Sequence, residues 1–175
     1  MTRYVAFLRG VNLGKRTVKS AELKAAFEDM GFANVKTLLA SGNVLFDATS
    51  AKGLQARIEK GLADTFGFAI GTVLRSRTEL EAMIKADPFG GRVECEDFKL
   101  YVSLFSEELP AALLPAGVPG DYDIIPGGPR EFYIVGYRKP DGTYSAGALL
   151  NLEKKLPKGQ LVTSRNWNTI LKAVA

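Results

Sequence analysis

Apolar runs and amphipathic stretches follow one another as strand, helix, strand, strand, helix, strand, and then repeat that order. This predicts an α+β chain built as a tandem pair of ferredoxin-like (βαββαβ) units, packed as one compact body and closed by a C-terminal helix. A second observation supports the duplication, because both helices of the first half end in Gly-Phe-Ala, at Gly31-Phe32-Ala33 and Gly67-Phe68-Ala69. The third is length: 175 residues suit two lobes of roughly 85 residues each. The expected division is a first unit over 1–76, a helical connector over 77–97, and a second unit with the terminal helix over 98–175.

Tyr4 to Leu8 is a continuous apolar run stopped by Arg9-Gly10, the pattern of a strand covered on both faces. Ser20 is placed to cap a helix carrying Leu23, Ala26, Phe27 and Met30 at helical spacing, with Gly31 as its left-handed stop. Asn34–Leu39 and Asn43–Phe46 read as strands joined through Ala40-Ser41-Gly42. A second helix starts at Ser50, carries Leu54, Ile58, Leu62 and Phe66 on one stripe, and ends at Gly67, after which Ile70–Leu74 forms a strand. Thr78 with Glu81 predicts a capping box for a third helix that ends near Asp87-Pro88. In the second half Phe98–Phe105 is a strand and Ser106–Leu114 a short helix. Asp121–Ile125 and Glu131–Val135 are strands around Pro126-Gly127-Gly128-Pro129, and Leu149–Leu156 is a helix. Gln160–Thr163 is a short strand, and Trp167, Ile170, Leu171 and Val174 form the apolar face of the last helix.

Composition excludes several chemistries. The chain has no histidine, which removes Ser-His and Cys-His catalysis and histidine-ligated metals. Its one cysteine, Cys95, sits among Glu94, Glu96 and Asp97, which disfavour a thiolate. Asp121, Asp123, Glu131 and Glu153 show no spacing that marks a catalytic pair or metal cluster, so no metal and no cofactor are expected. No run approaches the ~20 apolar residues that span a bilayer, and the N-terminus lacks a signal-like region, so the expected location is the cytoplasm with no membrane partner. A net charge of +4 favours an anionic partner without requiring nucleic acid.

Three polar turns stand out from this scaffold: Leu8-Arg9-Gly10-Val11-Asn12-Leu13-Gly14-Lys15, Ser41-Gly42-Asn43, and Ser164-Arg165-Asn166-Trp167-Asn168. The first invites comparison with a phosphate loop, but three residues separate its glycines where that loop has four, and Arg16 follows Lys15 where Ser or Thr is required. A less specific anion site remains, with Arg9, Lys15, Lys19 and exposed amides as its parts. Arg165 is expected at a helix N-terminus, where the dipole disfavours a cation, so some other interaction should reward it. Trp167 is expected to anchor the last helix in the core. Base stacking on the sheet is disfavoured, since both faces of the first strand are apolar.

These three motifs, in this order, closely resemble those of the bacterial domain-of-unknown-function 1697 family, over Tyr4 to the C-terminal helix. The matching positions are Arg9, Gly10, Asn12, Gly14, Ser41, Gly42, Asn43, Arg165, Asn166, Trp167 and Asn168. The resemblance implies tandem ferredoxin-like units and carries no established activity. The chain departs from the pattern at Gly14-Lys15, where members carry two glycines, and at Ser145-Ala146, where a lysine follows the serine.

The leading expectation is a pocket for a small phosphate- or carboxylate-bearing ligand, a metabolite or nucleotide, formed by Arg9, Asn12, Lys15, Ser41, Asn43, Arg165 and Asn166. Two rivals stand beside it. One is a nucleic-acid-associated protein contacting phosphates through the basic turn and Lys154, Lys155 and Lys158; the other is an enzyme with a carboxylate or lysine base, its substrate unknown.

Overall fold

The computed structural model describes residues 1–11, 17–39, 42–145 and 152–175. Among them the chain is α+β, with two four-stranded antiparallel sheets and four helices. It divides into two compact units, Met1–Ala82 with Lys172–Ala175, and Met83–Leu171.

The first unit contains β1 (Thr2–Leu8), α1 (Ser20–Asp29), β2 (Ala33–Thr37), β3 (Asn43–Ala48), α2 (Leu54–Phe66) and β4 (Thr72–Ser76), with sheet order β2-β3-β1-β4. Period-two alternation decides the faces of β1. Tyr4, Ala6 and Leu8 join Val44, Phe46, Leu23, Phe27, Ile58 and Leu62 in one buried cluster, the apolar stripes of both helices meeting one side of the sheet. Val5, Phe7, Leu45 and Val73, on the other side, are buried as well. Gly31 and Gly67, at φ 91° and 80°, end the two helices in the left-handed conformation expected of them.

Several boundaries differ from the sequence expectation. α2 begins four residues after Ser50, behind Gly53 at φ 65°, because the Ser50 hydroxyl is used in a tight turn with the Lys52 N–H at 3.2 Å. α3 (Arg77–Lys85) is capped by Ser76 and Glu79, two positions before the expected pair. Ser76 Oγ accepts from the Glu79 N–H at 3.1 Å, and the Ser76 N–H donates to Glu79 Oε1 at 3.0 Å.

The second sheet holds β5 (Phe98–Phe105), β6 (Tyr122–Pro126), β7 (Glu131–Tyr137) and β8 (Val162–Asn166) in the order β6-β7-β5-β8. Phe105, Phe132, Ile134, Leu152 and Val162 form the cluster on one side. The helix expected at Ser106–Leu114 is only a 3-10 turn at Ala111–Leu113. Pro110 and Pro115 bracket it, withdrawing amide donors and barring helical geometry from the residues before them. Of the expected Leu149–Leu156 helix, the described part is a 3-10 turn at Glu153–Lys155; positions 149–151 lie outside the described residues. α4 (Trp167–Ala173) follows β8 directly.

Gly136 shows what β7 demands. A Cβ built there would lie 2.0 Å from the Ser145 carbonyl oxygen, because the segment after the Pro140 turn folds back over the strand. At Gly61 the obstacle is Met30 Sδ, at 2.4 Å, on a flexible side chain that can turn aside. Gly136→Ala is therefore expected to lower unfolding free energy by about 2–3 kcal/mol in urea titrations, as overpacking against backbone does. Gly61→Ala is expected to stay within about 1 kcal/mol of the parent, since helix propensity offsets the Met30 shift.

Candidate functional site

Register answers which ends of the first sheet the polar turns occupy. β1 pairs antiparallel with β3, Phe7 opposite Asn43, and with β4, Leu8 opposite Thr72. The ladder continues one step beyond each strand: the Leu8 N–H donates to the Gly42 carbonyl and the Arg9 N–H to the Gly71 carbonyl, both at 2.8 Å. Arg9 and Asn43 therefore share one sheet end. Gly10 at φ 70° and Gly42 at φ 101° take backbone conformations open to glycine. Asn12, Lys15 and Ser41 lie outside the described residues.

Asn43 is buried, and its role is to close a loop. Its Nδ2 donates to the Leu38 carbonyl at 3.1 Å, while the Leu38 N–H donates to the Asn43 carbonyl at 2.9 Å. Inside that closure Leu39 has φ 51° and is 46% exposed. A bulky residue in the left-handed region is strained, and burial does not repay this one.

The same sheet end carries a carboxylate that the sequence reading missed. Glu59 reaches from α2 to the edge strand, where its Oε2 accepts from the Thr72 N–H at 3.3 Å. Partial burial pushes its carboxyl above the ordinary range, against the lowering effect of bonds from Thr72 and Gln55. In sequence it is an ordinary glutamate within an amphipathic helix, and only the tertiary fold distinguishes it.

Arg165 and Asn166 belong to the second unit. Arg165 lies in β8 opposite Val102, two residues before α4 begins. Its Nη1 donates to Thr163 Oγ1 at 2.5 Å and to the Ser164 carbonyl at 2.9 Å. Burial pushes its pKa down to about 10, which leaves it charged at neutral pH. Arg75, which the sequence reading passed over, occupies the matching place in β4, opposite Val5, with Nη1 on the Leu74 carbonyl at 2.8 Å. Each arginine stands next to last in the fourth strand of its sheet.

Asn166 works locally. Its Oδ1 accepts from the Asn168 N–H at 2.9 Å, and its Nδ2 donates to Glu94 Oε1 at 2.5 Å. Glu94 also accepts from Asn168 Nδ2 at 3.0 Å and from the Leu100 N–H at 2.8 Å. One carboxylate thereby ties the segment before β5 to the start of α4. Trp167 is buried edge-on to Phe89 and Tyr133, with ring centroids 5.3 and 5.7 Å away.

A groove of about 860 Å³ in the second unit is lined by Asp97, Asp123, Tyr137, Arg138 and Lys139 among others. Its charges are mixed and largely engaged: Tyr137 donates to Asp123 Oδ2 at 2.5 Å, which pushes the phenol pKa up, and Arg138 pairs with Glu96 at 2.9 Å. Among the described residues no group of three His, Cys, Asp or Glu side chains is arranged to hold a metal, and no helix is long and apolar enough to cross a membrane.

The model of a protein family of unknown function, DUF1697, matches residues 1–122. The chain belongs to the DUF1697 family. The match takes in the first two polar turns and stops before the third. A conserved bacterial protein from Streptococcus pneumoniae has the same fold, with a TM-score of 0.72 at 23% identity, covering 99% of this chain and 97% of that one. A protein from Galdieria sulphuraria aligns over 94% of this chain and 98% of its own at 12% identity, but its TM-score of 0.25 carries no structural argument. No curated protein matches the sequence.

Two substitutions separate the local roles. Glu94→Ala leaves the Asn166 and Asn168 amides and the Leu100 N–H without their acceptor, and is expected to destabilise by about 1–3 kcal/mol, read by denaturant unfolding. Glu59 has the opposite sign. A carboxyl whose folded pKa is raised favours folding below its unfolded value and loses that contribution as pH rises through the folded value. Glu59→Gln is expected to melt above the parent at neutral pH and level with it in acid, a difference that thermal unfolding across pH reads directly.

Proposed function

We propose that the protein binds a small anionic ligand, a phosphate- or carboxylate-bearing metabolite or nucleotide, where the Arg9–Gly10 and Gly42–Asn43 turns share one end of the first sheet. Arg9 supplies the charge in this reading, and its planar guanidinium suits either group. Gly10 and Gly42 let the main chain approach a ligand closely. Asn12, Lys15 and Ser41 belong to the same two turns in sequence and complete the set. Asn43 holds the loop. Arg165 and Asn166 enter as residues that shape the second unit, since each has local partners. The strand order of each sheet also supports reading the chain as a tandem ferredoxin-like pair, in a bacterial cytoplasmic protein.

The observation that carries this reading is Leu39. Backbone strain of ~1–3 kcal/mol persists only where surrounding structure enforces it, and it gathers at ligand clamps and active sites. Here the enforcing contacts are the two Leu38–Asn43 hydrogen bonds, and the strained residue lies in the segment that leads into β3, the strand paired with β1.

A thermal-shift screen against inorganic phosphate, nucleotides, sugar phosphates, carboxylates and short oligonucleotides tests the proposal. A ligand at about 100 times its Kd stabilises the folded state by about 2.7 kcal/mol, a shift of several degrees. The expected result is a hit among small anions that Arg9→Ala abolishes and Arg165→Ala preserves. A hit confined to oligonucleotides, weakening steeply with salt, would transfer the reading to nucleic acid and to Lys154, Lys155 and Lys158.

A further inference from the structure

We propose that Glu59 is a positioning residue for the Arg9 turn, acting on it through the single peptide that joins Gly71 to Thr72. In an extended strand the carbonyl and N–H of one peptide point in opposite directions across the strand. At the start of β4 the inward carbonyl, that of Gly71, accepts from the Arg9 N–H at 2.8 Å. The outward N–H, that of Thr72, donates to Glu59 Oε2 at 3.3 Å. Arg9 N–H, peptide and carboxylate thus form one hydrogen-bonded chain. Links in such a chain polarise each other, and an ionised acceptor makes a stronger bond than a protonated one. The proton on Glu59 is felt at Arg9.

Among the described residues, few groups act on the carboxyl. The influences on it are partial burial, the Thr72 N–H from β4 and the Gln55 amide from its own helix, at 3.4 Å. Among the described residues, no charged side chain from α1, β1, β3 or β4 is one of them. Its helix neighbour Lys60 is exposed and paired with Asp64 at 2.7 Å. Burial therefore pushes the group above the ordinary glutamate value, and the Thr72 N–H is its hydrogen bond to the sheet.

The consequence for ligand binding rests on the anion-binding reading. An anion at the Arg9 turn and an ionised Glu59 repel, so the ligand raises the midpoint of Glu59 and, by reciprocity, binds more tightly as pH falls through that midpoint.

The test follows the backbone amides of Thr72 and Arg9 by nitrogen-15 NMR across pH. Both are expected to titrate with one shared midpoint above ~4.3, the ordinary glutamate value, and both to be flat in Glu59→Gln. Glu59→Asp, which retracts the carboxylate by one methylene, keeps a titration but uncouples Arg9. An Arg9 amide that stays still while Thr72 titrates overturns the relay, as does one that titrates equally in Glu59→Gln. Inorganic phosphate is then added. A raised shared midpoint supports the linkage, whereas an unchanged midpoint beside an intact Thr72–Arg9 titration removes the anion from this turn and leaves the relay standing.

Discussion

The pairing of β1 with both β3 and β4 is the constraint on which the candidate site depends. A slip of one residue in either ladder would turn Tyr4, Ala6 and Leu8 away from the helices and bring Val5 and Phe7 under them. The apolar cluster beneath α1 and α2 therefore holds the register, and the register brings Gly42 and Gly71 to the main chain of Leu8 and Arg9. Leu8 and Val11 belong to that cluster themselves, so the start of the polar turn is anchored directly in the core. The strain at Leu39 is tolerable for the same reason, since its loop is closed by Asn43, a residue that β3 holds in the sheet.

Buried or half-buried polar groups bind the remainder. Glu94 collects two asparagine amides and one main-chain N–H, and Arg165 bonds a hydroxyl and a carbonyl within its own strand. Among the described residues no buried side-chain nitrogen or oxygen lacks a partner. The three motifs of the sequence consequently divide by role. The described residues of the first two, Arg9–Val11 and Gly42–Asn43, lie at one end of the first sheet, while Asn166, Trp167 and Asn168 of the third are engaged with Glu94, Phe89 and Tyr133 inside the second unit.

Local chemistry explains which parts were legible in advance. The apolar run Tyr4–Leu8, the helical stripes at Leu23–Phe27 and Leu54–Leu62, and the stops at Gly31 and Gly67 each carry their signal within a few residues. The cap of α3 was misplaced because Ser76-x-x-Glu79 and Thr78-x-x-Glu81 both satisfy the capping-box pattern, and only the end of β4 decides between them. Pro110 and Pro115 oppose a helix at Ser106–Leu114 by the same local chemistry. Glu59, Glu94 and Arg75 could not be singled out at all. Each is defined by what another strand or segment brings to it, and a sequence window contains none of that.

Glu59 shows how a scaffold position can acquire a second consequence. An edge strand presents outward N–H groups that must be covered or left to water. An uncharged side chain could satisfy the Thr72 N–H equally well, without placing a carboxylate in partly buried surroundings that disfavour its charge. Covering the edge therefore does not by itself explain a glutamate. The choice makes physical sense if the proton matters, because the peptide it grips is the one whose carbonyl holds Arg9. A carboxylate whose charge is disfavoured by burial, one peptide away from the main chain of Arg9, is the combination expected where folding stability is exchanged for sensitivity to charge.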